Sequence, residues 1–224
     1  MLEIYPSAQA VGEACAHAIA GCLRDGLATR GRAGLVATGG RSPGPVFDAL
    51  AAEPLATSLD WARVVVTLSD ERCVAADAPE SNARTVRERL LVGPAAKARF
   101  LPLWPKPDPA ALAALMPFDA VMLGMGEDGH VASLIPGDPG LEAGLSTDEI
   151  LVDVPAGVGK PPLPRVSLSL SAVADARAIF LLIAGEAKRE VLARAQGGQD
   201  LPVGRLLSRA RAPVRIFWSP EHSA

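Results

Sequence analysis

Residues 118–137 read FDAVMLGMGEDGHVASLIPG. The opening apolar run, 118–123, carries the large side chains of a buried strand and breaks at Gly124, Gly126 and Gly129. Glu127 and Asp128 lie between the glycines, and His130 follows at once. Val131, Ala132, Ser133 and Leu134 then read as the first turn of a short helix, which Pro136 and Gly137 stop. A strand passing through a glycine turn into a helix puts that turn at the carboxyl edge of an open sheet, where such folds bind ligands. His130 is thus a titratable side chain near a helix N-terminus at a ligand-binding edge.

The stretch admits three readings. Gly124-x-Gly126-x-x-Gly129 formally matches the dinucleotide fingerprint, with Asp148 and Glu149 about 20 residues on. However, Glu127 and Asp128 would stand where a pyrophosphate sits and would repel it. A plain reading is a tight connection with a solvated acidic tip. The third is catalytic: a helix N-terminus disfavours imidazolium and keeps an imidazole neutral, as a general base requires.

The surrounding chain bounds these choices. Its 224 residues suffice for one sizeable core in a single domain spanning 1–224, and 49% hydrophobic with 21% charged residues is ordinary globular composition. A formal net charge of -3 with scattered Lys and Arg argues against nucleic-acid binding. The start, MLEIYPSAQA, lacks a basic-then-apolar leader, and no apolar run is long enough to span a bilayer. Cys15, Cys22 and Cys73, without CxxC spacing, read as small buried hydrophobes in a reducing cytosol, with no zinc site. The expected setting is cytoplasmic, as a monomer or small homo-oligomer.

Moving outward, Ser7 caps an amphipathic helix ending near Gly26, with His17 just off its apolar face. Residues 34–38 form a strand running into Gly39-Gly40-Arg41-Ser42-Pro43-Gly44 and a helix to about 50. Strand, glycine pair, then helix start is the design of an anion cradle, to which Arg41 and Ser42 add donors; the alternative is a tight turn with an exposed arginine. The run 63–68 is a buried parallel strand delivering Ser69-Asp70-Glu71-Arg72 to the same edge, either as site residues or as a salt-bridged turn. A helix follows from Pro79-Glu80-Ser81-Asn82 to about 91. Further elements are a strand in 99–104, a short helix over 110–116, and a long loop over 137–164 with one strand at 150–154, which could serve as a lid. The tract Gly157-Val158-Gly159-Lys160-Pro161-Pro162 is too short to link domains. Residues 165–170 alternate as a strand with a serine face, and Ser171 caps a short helix. Strand 177–184 leads through Gly185 into a helix to about 195, placing Lys188 in a first turn where the dipole disfavours a cation unless an anion binds. A helix over 202–207, a strand over 214–218 and a polar tail with an inert His222 end the chain. Strands and helices alternate throughout, giving an α/β domain with a mostly parallel sheet and helices on both faces.

These motifs, in this order, resemble the 6-phosphogluconolactonases of the glucosamine-6-phosphate isomerase/deaminase-like superfamily, with its modified Rossmann-like sheet. The resemblance covers nearly the whole chain. It is carried by Gly39-Gly40-Arg41-Ser42-Pro43, with Ser42 where threonine is usual; by Ser69-Asp70-Glu71-Arg72 with Ser81-Asn82; by residues 123–134 with Pro136; by Arg165-Val166-Ser167-Leu168-Ser169; and by Gly185-Glu186-Ala187-Lys188. It implies hydrolysis of a sugar-phosphate lactone without metal or cofactor. His130 would be the base, with Asp128 or Asp70 supporting it. Gly39, Gly40, Arg41, Ser42, Arg165 and Lys188 would bind the substrate, and Arg72 or the amides around Gly126 would stabilise the oxyanion. Amino-sugar phosphate deaminases resemble the chain too, but their histidine motif continues to a glutamate where Ile135 stands here. A sugar-phosphate sensor and a nucleotide-linked oxidoreductase remain as other classes.

Overall fold

The computed structural model describes residues 1–220; His222 lies outside the described residues. In chain order the elements are β1 (Leu2–Ile4), α1 (Ala8–Arg30), β2 (Ala33–Ala37), α2 (Gly44–Ala51), β3 (Val64–Leu68), β4 (Asp70–Arg72), α3 (Asn82–Arg89), β5 (Arg99–Phe100), α4 (Pro109–Ala113), β6 (Ala120–Gly124), α5 (Leu141–Ser146), β7 (Leu151–Val154), β8 (Arg165–Leu168), α6 (Leu170–Ala174), β9 (Ile179–Ala184), α7 (Glu186–Gln196), α8 (Pro202–Arg209) and β10 (Val214–Ser219).

Seven strands form one sheet in the order β1-β10-β9-β6-β2-β3-β5, every neighbouring pair parallel. The central strands are buried on both faces, and strand alternation divides their side chains between two cores. Leu35, Ala120, Met122, Phe180 and Phe217 face the core that takes the apolar stripes of α1, α2 and α3. Val36, Val121, Leu123, Leu181 and Trp218 face the core of α6, α7 and α8. This is the expected single α/β domain with helices on both faces. A second, antiparallel sheet of order β4-β8-β7 stands beyond the carboxyl edge of the first. Ser69 joins the two: its N–H donates to Ala37 O (2.7 Å) and its carbonyl accepts from Leu168 N (2.8 Å).

The structure corrects several expectations. Residues 131–134 are not helical. Val131 bridges antiparallel to Met125 and to Leu134, Ala132 has φ +51°, and Ser133 N donates to Ser167 Oγ. Partners from the small sheet hold this backbone, so the helix-dipole argument for a neutral His130 falls. Helix α1 passes Gly26, which is a packing glycine: a Cβ there would lie 2.9 Å from Asp119 Cγ. The helix stops at Gly31, whose φ of +72° lets its N–H reach Leu27 O. Residues 70–72 form a strand rather than a loop, and 165–168 pair with them instead of joining the large sheet. The serine face of β8 is therefore internal, and Ser169 rather than Ser171 caps α6. β1 and α5 were not anticipated, and the 99–104 strand shrinks to two residues. Cys15 is buried, but Cys22 and Cys73 are only half-buried. His17 is exposed on α1.

Helices α1 and α2 approach through a glycine contact: a Cβ on Gly12 would lie 2.5 Å from Pro45 Cβ and 2.6 Å from its backbone carbon, whereas one on Gly21 would meet nothing within 4 Å. Gly12→Ala should therefore destabilise the fold by about 1–3 kcal/mol through overpacking. Gly21→Ala, on the same helix, should stabilise it by about 0.5–1 kcal/mol through helix propensity. Chemical denaturation of the two variants beside wild type measures both.

Candidate active site

The sheet grows from β2 outward through β3 to β5 on one side, and from β6 through β9 and β10 to β1 on the other. Between β2 and β6 the direction of growth reverses, and loops leaving adjacent carboxyl ends part to leave a crevice. Residues 38–42 form one wall and 124–130 the other, while β4 and β8 form the roof. The crevice holds a cavity of about 200 Å³. Of the residues singled out in the sequence, Gly39, Gly40, Arg41, Ser42, Asp70, Arg72, Gly126, His130, Arg165 and Lys188 all border it. Asp128 lies behind His130 and faces a larger outer cavity.

His130 and Asp128 form a pair. Asp128 Oδ1 lies 2.6 Å from His130 Nδ1 and also accepts from the His130 backbone N–H at 3.1 Å. Holding Nδ1 against a carboxylate favours the tautomer with its proton there, which leaves Nε2 as the lone-pair nitrogen. The tight turn requires glycine twice. A Cβ on Gly126 would lie 2.2 Å from His130 Nδ1 and 2.4 Å from Asp128 Oδ1, and Gly129 has φ +80°. The Gly126 and Gly129 amides are spent on the turn itself, donating to His130 O and Gly126 O. Burial raises the Asp128 pKa, but hydrogen bonds and attraction from His130 outweigh it, holding the carboxyl below its ordinary 3.8.

Asp70 sits elsewhere. It is 5% exposed, accepts from Ser69 Oγ (2.9 Å) and Ser133 Oγ (2.6 Å), and lies 3.8 Å from Arg165 Nη1. Arg165 also donates to Pro161 O (2.8 Å), and Arg72 to Glu80 O (2.6 Å). The Nε atoms of both arginines are buried and have no hydrogen-bond partner. A buried donor left unpaired costs about 1–3 kcal/mol, more on a charged group, and these two are shut off from solvent as well as from protein acceptors. Burial, opposed by Asp70 and reinforced by Arg72, pulls the Arg165 pKa down. Burial, opposed by Glu127 and reinforced by Arg41, does the same to Lys188. Five basic side chains border the inner cavity against one carboxylate, Asp70. Among the described residues no three His, Cys, Asp or Glu side chains are grouped to hold a metal ion, and no helix is long and apolar enough to cross a membrane.

Glu71 and Asn82 explain why four consecutive polar residues occupy 69–72. Glu71 accepts from Ser81 Oγ and from the amides of Arg72, Asn82 and Ala83, tying β4 to the start of α3. Asn82 Nδ2 donates to Asp70 O, and its amide fills the space that a side chain on Gly39 would occupy. Sequence reading did not assign Thr38, Asn82, Ala132 or Lys160 to the cavity, which all four border. Asn82 and Ala132 each had a signal, lying in motifs that carry the family resemblance, whereas Lys160 was hidden in a Gly- and Pro-rich tract.

Comparison with known proteins finds likenesses over nearly the whole chain. The profile of the family described as glucosamine-6-phosphate isomerases/6-phosphogluconolactonase matches residues 6–218. The 6-phosphogluconolactonase of Caulobacter vibrioides is 42% identical over 97% of both chains, and that of Pseudomonas putida 40% identical over 95% of this chain and 90% of its own. The crystal structure of a 6-phosphogluconolactonase from Shewanella baltica superposes with a TM-score of 0.87 at 35% identity, covering 98% of this chain and 97% of that one.

The sign of the Asp128 shift gives a test. Its depressed pKa means that the pair's contribution is fully present above pH about 4 and is lost as pH falls through the lowered value. NMR titration of the Asp128 carboxyl should give a midpoint below 3.8 in wild type. In His130→Ala the midpoint should rise, because burial then acts unopposed by the ring.

Proposed function

The chain belongs to the glucosamine-6-phosphate isomerase/6-phosphogluconolactonase family, and we propose that it hydrolyses 6-phospho-D-glucono-1,5-lactone to 6-phospho-D-gluconate, the lactone-opening step of the oxidative pentose phosphate pathway, as one cytosolic domain spanning residues 1–224. The observation that carries this reading is the 2.6 Å His130–Asp128 pair at the rim of a cavity bordered by Arg41, Arg72, Arg165 and Lys188. Relatives named 6-phosphogluconolactonase, alike over nearly their whole length, support it.

A lactone is an activated ester, so a water, a base and charge stabilisation suffice. His130 Nε2 takes a proton from water as its oxygen attacks C1. Asp128 holds Nδ1–H and stabilises the imidazolium that forms. The carbonyl electrons move onto oxygen, and the adduct collapses by breaking the bond from C1 to the ring oxygen, which takes the proton from His130. The product is a hydroxy acid that ionises and releases one proton to solution. Arg72 stabilises the oxyanion, a contribution of roughly 3 kcal/mol for one well-placed donor. The Gly126 amide, used by its own turn, is set aside for this role; Gly126 contributes by leaving room for the dyad. Gly39, Gly40, Arg41, Ser42, Arg165 and Lys188 hold the phosphate, whose binding energy orients C1. Asp70 acts as a positioning residue, fixing Arg165 through its carboxylate and Ser133.

Ring opening of an amino sugar, the family's other chemistry, calls for an ionisable group at position 135, and Ile135 is 2% exposed and apolar. Dinucleotide binding lacks its helix, because none opens at the Gly124–Gly129 turn and the next, α5, begins only at Leu141.

Acid release from freshly made 6-phosphogluconolactone, corrected for spontaneous hydrolysis, tests the proposal. Wild type should be fast, and His130→Ala should lose about two orders of magnitude or more in kcat while remaining folded. A wild type no faster than the blank refutes the activity; a His130→Ala as fast as wild type refutes the base assignment alone.

A further inference from the structure

The mechanism leaves the Gly- and Pro-rich tract 157–162 unused, yet it is not slack chain. Gly157 N donates to Pro162 O (3.1 Å) and Leu163 N to Pro161 O (2.9 Å). The buried Arg165 donates through Nη2 to Pro161 O (2.8 Å). Gly159, with φ +74°, packs so closely that a Cβ there would lie 2.8 Å from Ile135 Cδ1 and 2.9 Å from Arg165 Nη2. The tract is therefore a strap seated on Ile135 and fastened by the same guanidinium whose Nε is buried without a partner. The strap presents Lys160. This residue is exposed and borders both the inner and the outer cavity, and among the described residues its ammonium makes no hydrogen bond or ion pair.

We infer that Lys160 is a further substrate-binding residue, held by the strap at the cavity mouth, where its ammonium meets the substrate's phosphate from the side opposite the floor of the crevice and raises the preference for phosphorylated over neutral lactones. The inference rests on the sugar-phosphate reading of the same cavity. A phosphate monoester presents three strong acceptor oxygens, enough to take an ammonium at the cavity mouth beside Arg165 and Lys188. The link from Arg165 to Pro161 ties the lysine's segment to the roof of the crevice, while the flexible lysine stem allows a point-charge contact without a fixed fork geometry. Because the ammonium faces solvent, its contribution is screened by salt, unlike that of the buried guanidiniums.

Calorimetric binding of 6-phosphogluconate and of gluconate, with steady-state kinetics on 6-phosphogluconolactone and on glucono-1,5-lactone, tests this in Lys160→Ala, Lys160→Glu and Lys160→Arg. Lys160→Ala should weaken 6-phosphogluconate binding about five- to tenfold, Lys160→Glu more, and Lys160→Arg should restore it to within about twofold. The rise in KM for the phosphorylated lactone should exceed any change on the neutral lactone at least about fivefold, with kcat much less affected, and should shrink between about 0.05 and 0.5 M salt. Equal losses on both lactones, or wild-type affinity for 6-phosphogluconate in Lys160→Glu, overturn the assignment. A wild type that binds 6-phosphogluconate, with the Lys160 dependence described, but turns over no lactone would sink the proposed activity and leave the role of Lys160 standing. A wild type that binds no 6-phosphogluconate overturns both.

Discussion

A parallel sheet that grows in two directions from its middle must open a gap where growth reverses, because the loops leaving β2 and β6 at their carboxyl ends run apart. Everything else in the molecule answers to that gap. The two cores on either face of the sheet make β2 and β6 rigid, so the residues just beyond them, 38–42 and 124–130, stand in fixed opposition. The small antiparallel sheet, joined through Ser69, turns the gap into a roofed crevice and brings Asp70, Arg72 and Arg165 over it.

The crevice concentrates positive charge in partly dry surroundings, a condition a fold tolerates only when something offsets it. Part of the offset is internal: Asp70 and Ser133 beside Arg165, the Glu80 carbonyl on Arg72. The remainder, carried in part by the half-buried Lys188, borders the cavity, where an anion would offset it. The same logic explains the pairing of His130 with Asp128 rather than with Asp70. The carboxylate within the turn serves the ring, and the carboxylate in the roof serves a guanidinium. Two acids that sequence reading left as alternatives thus have separate duties.

Much of this was legible in the sequence. Continuous β-branched and leucine runs at 64–68 and 179–184 read as buried parallel strands, and glycines clustered after strands marked the edge where the crevice opens. What was not legible depended on long-range pairing. Residues 70–72 and 165–168 are short, and their polar residues look solvated until each is seen to complete the other's ladder. Residues 131–134 carry helix-compatible side chains, but backbone partners supplied by Met125 and Ser167 decide against a helix. Gly26 resembles a helix stop because sequence alone cannot distinguish a glycine that ends a helix from one that lets Asp119 approach.

The seat of the strap on Ile135 has a consequence for descent within this family. Where the deaminase pattern has a glutamate, this chain has an isoleucine whose Cδ1 touches Gly159, with Arg165 Nη2 crowding the same spot. A carboxylate arriving there by a single codon change would be buried, and its nearest cation would be Arg165. Within this family, exchanging Ile135 for a glutamate therefore calls for an accompanying change in the strap, because Ile135, Gly159 and Arg165 pack as one unit.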